Sequence, residues 1–182
     1  MPPPRAQPDP AADADAEADA TGSCWMLIVE GRPPRWSRAV RATLLDCRRP
    51  EAVPRVVAAD APQVLAQLEL DAPPVLLGLE VTRGALAERF DDLARWWTHP
   101  AVCPVALVRR GDFGRAATDH LEAALSEAGA AATLFSPRDA GGLLAIASRH
   151  AAQVWRRLEH RLPPHEIAWR RLPWQPPPWA LG

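Results

Sequence analysis

Pro74-Val75-Leu76-Leu77-Gly78-Leu79-Glu80 is an unbroken apolar run closed by an acid. A strand that does not alternate apolar with polar residues needs cover on both faces, as the strands of parallel sheets have. Four further short apolar runs, at residues 25–29, 55–59, 102–108 and 132–135, flank this one along the chain.

Between the runs the hydrophobic period changes from continuous to helical. Trp36, Val40, Leu44 and Cys47 step by four, four and three, which is one face of a helix. Asp60 followed by Pro62 reads as a helix start carrying Val64, Leu65 and Leu68. Thr82 is expected to cap a helix whose apolar stripe is Leu86, Phe90, Leu93 and Trp97, with Trp96 off the stripe, and Pro100 ends it. A helix from about Thr118 bears Leu121 and Leu125 and closes at Gly129. The longest stripe, Leu144, Ala147, Ala151, Val154 and Leu158, predicts a helix over about 139–161 that outruns the sheet before Pro163-Pro164 stops it.

Five strands alternating with helices predict an α/β fold: a doubly wound, five-stranded parallel sheet, expected in the order 2-1-3-4-5, with an extended last helix. Three segments follow. Residues 1–23, rich in Pro and in Ala alternating with acids, cannot bury enough apolar surface to order and are expected to form a disordered arm. Residues 24–161 form the domain, and 162–182 a tail rich in Trp, Pro and Arg.

Composition narrows the function. The 182 residues carry a net charge of −1. The arm holds five acids against Arg5, and residues 151–182 hold five arginines against Glu159 and Glu166, so the body between is balanced. A neutral body with a modestly basic tail is a poor footprint for nucleic acid. No apolar run approaches the ~18 residues of a membrane span, and no basic then apolar leader opens the chain, so the expectation is a cytoplasmic protein with no membrane partner. Cys24, Cys47 and Cys103 are odd in number and form no CxxC pair, as suits a reducing compartment.

In element order, element lengths and apolar strands, residues 24–161 resemble the receiver domain of bacterial response regulators. The resemblance implies a phosphoacceptor pocket at the C-terminal ends of the strands, and the residues falling there are not those of a working one. The acidic pair after the first strand falls on Glu30 and Gly31, and the phosphoacceptor aspartate on Gly78. The hydroxyl residue closing the fourth strand falls near Val108, and the lysine before proline on Ser136, with Pro137 retained. Phosphoryl transfer needs a nucleophile, a metal and a cation to hold the phosphate oxygens. The resemblance therefore implies a pseudo-receiver: a phosphorylation-independent signalling module, no enzyme, with no cofactor and no metal.

Other constellations are weaker. Glu30, Asp60 and Glu80 are placed near one sheet edge, where with Ser136 they could serve a flavodoxin-like enzyme or a small-ligand or metal site. The first strand-to-helix turn, Glu30-Gly31-Arg32-Pro33-Pro34-Arg35-Trp36, has one glycine and two prolines and is no phosphate-cradling loop. Cys103 and His99 lack the third group a nucleophile pair needs. The tail is the stronger lead. Ile167, Trp169, Arg170, Arg171, Leu172, Trp174 and Trp179 combine residue types enriched in binding hot spots, and Pro176-Pro177-Pro178 favours an extended path. These residues are expected to dock on a protein partner, on a second copy, or on the domain itself.

Overall fold

The computed structural model of the chain describes residues 24–45, 55–58 and 72–170. The arm at 1–23, the helix expected after Asp60 and the segment from Arg171 onward lie outside the described residues.

The α/β class expected from the sequence is what the structure shows. Strands β1 (Trp25–Val29), β2 (Arg55–Ala58), β3 (Val75–Val81), β4 (Val102–Val108) and β5 (Thr133–Leu134) pair in parallel in the order β2-β1-β3-β4-β5. The fifth is only two residues long and joins through Ala106 opposite Thr133 and Leu107 opposite Leu134. The α-helices are α1 (Trp36–Leu45), α2 (Leu86–Trp97), α3 (Arg115–Glu127), α4 (Gly142–Glu159) and α5 (Pro164–Arg170), with short 3₁₀ turns at Arg110–Asp112 and Pro137–Gly141. None of them is long and apolar enough to cross a membrane.

Every residue of β3 is buried, so the run that announced the fold is its central strand. Its side chains alternate between two cores. Leu76 joins Met26, Ile28, Val105 and Leu107 on one face, covered by Trp36 and Val40 of α1 and by Leu143, Ala147, Ala151, Val154, Trp155 and Leu158 of α4. Val75, Leu77, Leu79 and Val81 join Leu27, Ala106 and Val108 on the other, covered by Leu93 of α2 and Leu121 and Leu125 of α3.

Several helices depart from the expected patterns for local reasons. A 3₁₀ turn at Pro137–Gly141 precedes α4, which moves the start of its buried stripe to Leu143. Its far end does not project: Trp155 and Leu158 are buried, and the Arg157 guanidinium donates to the Pro100 carbonyl at 2.7 Å. On α2 the tryptophans exchange roles. Trp96 packs against the second core and Trp97 is 62 % exposed, its Cβ lying over the turn at Gly129. Gly129 ends α3 with φ of +109°, a conformation that favours glycine. Thr82 caps the turn ahead of α2 rather than the helix, accepting from the Ala85 amide at 3.3 Å.

Pro163-Pro164 ends α4 but not the fold. Proline at a first helical position costs nothing, since that amide has no partner within the helix. Pro164 thus opens α5, and Ile167 returns to the first core at 7 % exposure. The packed body therefore extends past residue 161.

The edge beneath α4 has a titratable component. His150 Nε2 donates to the Ala101 carbonyl at 2.9 Å, and burial holds the imidazole below its ordinary pKa, with the Arg157 charge adding to the effect. A histidine held neutral in the fold protonates first in the unfolded chain. Its contribution is intact above the unfolded pKa of about 6.5 and is lost as pH falls through that value. Urea midpoints at about pH 7.5 and pH 5 should show the wild type losing stability toward acid, and His150→Gln losing less.

Gly78 supplies a second check. A Cβ there would lie 2.8 Å from Leu107 Cδ1 and 3.5 Å from Ile28 Cγ1, and both side chains are fully packed. Gly78→Ala should cost about 1–3 kcal/mol by urea denaturation, because the neighbours must shift to admit a methyl group.

Candidate functional site

In a parallel sheet, side chains with chemical roles gather where the strands end. The register moves that place relative to the sequence expectation. Gly78 lies opposite Ile28 and Val105, three residues before β3 ends at Val81, so it is a packing position inside the first core. The acid two residues further on the same face, Glu80, is the one at the edge.

Glu80 has a side chain only 4 % exposed. A carboxylate so far from water must be paired and hydrogen-bonded. The Gly31 amide donates to its Oε2 at 2.7 Å, while Arg109 donates from Nε at 3.2 Å and Nη2 at 3.0 Å to Oε1. Arg109 follows the end of β4, on the face Leu107 occupies two residues earlier, and its side chain is 30 % exposed. The Glu80 carbonyl accepts from Arg89 Nε at 3.3 Å, and Arg89 is itself held by Glu88 and Asp92. One residue thus ties together the exits of β1, β3 and β4 and the first turns of α2.

Glu30 is engaged differently. Its carboxylate accepts from the amides of Arg35 at 2.8 Å, Trp36 at 2.7 Å and Ser37 at 3.0 Å. Those are the donors that the start of α1 leaves without helical partners, and a negative charge there also meets the positive end of the helix dipole. Glu30 therefore caps α1 from the end of β1.

The remaining expected positions do not converge on Glu80. Val108 faces the second core, on the opposite side of the sheet. Ser136 accepts from the Arg138 amide at 3.2 Å and so caps the 3₁₀ turn that Pro137 opens. Asp60 lies outside the described residues. Among the described residues, no three His, Cys, Asp or Glu side chains group closely enough to hold a metal ion.

Cys24 and Cys103 sit at the other edge, and Cys47 lies outside the described residues. Burial pushes the Cys24 thiol up to about 12 and the Cys103 thiol up to about 11, so both stay protonated near neutral pH. His99 Nδ1 accepts from the Ala101 amide at 3.3 Å, which holds the ring against its own loop. In the C-terminal segment, Ile167 belongs to the domain core, Trp169 and Arg170 fall in the last turn of α5, and Arg171, Leu172, Trp174 and Trp179 lie outside the described residues.

The signal that sequence reasoning missed is Arg109. Nothing in Arg109-Arg110-Gly111 distinguishes one arginine from the other, and only the strand register decides which of them reaches Glu80. Arg109→Met should destabilise the fold by about 3 kcal/mol in urea titration, since it strands a buried charge. The double variant Arg109→Met/Glu80→Gln should recover most of that loss, because the amide oxygen still accepts from Gly31.

No protein-family model, curated protein or solved structure matches this chain.

Proposed function

We propose that this chain is a non-catalytic, receiver-like interaction module whose signalling does not depend on phosphorylation. The observation that carries the proposal is the state of the two acids at the strand ends. A phosphoacceptor needs a carboxylate oxygen free to attack, with a neighbouring carboxylate free to hold a metal. Glu80 spends both oxygens on Gly31 and Arg109, and Glu30 spends both on the amides of α1. The Arg109 guanidinium also lies where it neutralises Glu80, so the charge that would draw a divalent cation is already compensated.

In this reading the parallel α/β body is a fixed platform and the C-terminal segment beyond the buried Ile167 is the docking element. Trp169, Trp174 and Trp179, with Arg170 and Arg171, supply the aromatic and guanidinium groups that dominate interface energetics. The occupant is a protein partner or a second copy of the chain.

Intact mass after incubation with acetyl phosphate and Mg²⁺ tests the first half: no phosphoryl adduct is expected, and one mapped to Glu80 overturns it. A photo-crosslinking residue in place of Trp174 tests the second half. Adducts to another chain are expected, and their absence removes the docking role.

A further inference from the structure

The expenditure of the acids has a consequence for what that edge attracts. The loops after β1, β3, β4 and β5 carry Arg32, Arg35, Arg83, Arg110 and Arg138, all exposed. Their guanidinium groups make no hydrogen bond or ion pair among the described residues. Arg109 balances Glu80, and Glu30, held by the amides of α1, keeps a charge that offsets only one of these arginines. The acids left in these loops are Asp112 and Asp139, with Asp60 outside the described residues. By residue type the carboxylates at this edge would suit a cation; in the structure the uncommitted charge there is positive.

We propose that the C-terminal edge of the sheet binds a small polyphosphate anion, held by Arg32, Arg110 and Arg138 with Arg35 and Arg83 flanking. Guanidinium groups match phosphate oxygens in geometry as well as charge. The four loops belong to neighbouring strands spaced about 4.8 Å apart, so the loops span roughly 15 Å, a width that long arginine side chains can close around a shorter anion such as a triphosphate. Room is available: nothing lies within 4 Å of where a side chain would begin at Gly84 or Gly111, beside Arg83 and Arg110.

Recognition rests on the phosphates alone. The two aromatics in these loops, Phe113 and Phe135, pack against the second core and offer no platform for a base. The chain as a whole, at a net charge of −1, lacks the field that tracks a nucleic-acid backbone. Binding is non-covalent and leaves the buried pair of Glu80 and Arg109 in place.

Calorimetric titration of the full chain with sodium tripolyphosphate tests this. The expected dissociation constant is about 0.1–1 mM at low salt, as suits several exposed charge pairs. It should weaken strongly between about 0.1 M and about 1 M salt, where the screening length shrinks from about 10 Å to about 3 Å. The variant Arg32→Gln/Arg110→Gln/Arg138→Gln should bind at least about tenfold more weakly. Arg95→Gln/Arg156→Gln/Arg161→Gln, which removes the same charge from exposed sites elsewhere, should bind as the wild type does. No heat of binding in the unaltered chain overturns the proposal, and so does an equal loss in both variants. ATP should bind about as well as tripolyphosphate; an affinity more than about tenfold higher overturns recognition by phosphates alone.

Discussion

A carboxylate cannot be left buried without compensation, and in this fold the compensation of Glu80 organises one whole edge. Its partners come from the turn after β1 and from the residue after β4, so the three central strands end in one charged knot. Their mutual position is fixed there by hydrogen bonds as well as by the two cores. Arg89 adds a fourth tie, from α2 to the same residue's carbonyl. The geometry of the edge, and the chemistry open to it, descends from that single buried charge.

The opposite edge is held by other means. The α4 helix reaches it with His150 and Arg157 bonded to the carbonyls of Ala101 and Pro100, and α5 then folds Ile167 into the same core. Neither tie involves a pair of opposite charges. One edge is thus stabilised by an ion pair, the other by side chains satisfying the carbonyls of a loop.

Much of the fold was legible because its strands are continuous apolar runs, and such runs announce themselves without alignment or context. Where a run ends is not written in it. Glu80 looks like a terminator in the sequence, yet β3 continues to Val81, because Arg109 makes the charge tolerable inside the strand. That partner lies 29 residues away along the chain, and Gly31 lies 49 away, distances at which no local pattern operates. The roles of Trp96 and Trp97 are hidden in the sequence for a related reason. The helical period admits either at the last turn of α2, and the turn at Gly129, contributed by a distant segment, decides which one faces out. The prolines after α4 are ambiguous in the opposite sense: they mark an end by propensity, but Pro164 also satisfies the rule for a beginning.

Gly78 has a consequence for which substitutions the strand admits. Its neighbour Leu107 occupies the space a side chain would need, with Cδ1 standing 2.8 Å from an ideal Cβ. A larger residue at 78 strains Leu107, and shrinking Leu107 alone opens a hole in the core. The two positions are therefore coupled, and either change made alone is destabilising. Such a glycine works as a ratchet: substitutions elsewhere can change what the domain binds, while the interior of its central strand stays closed to a new functional group.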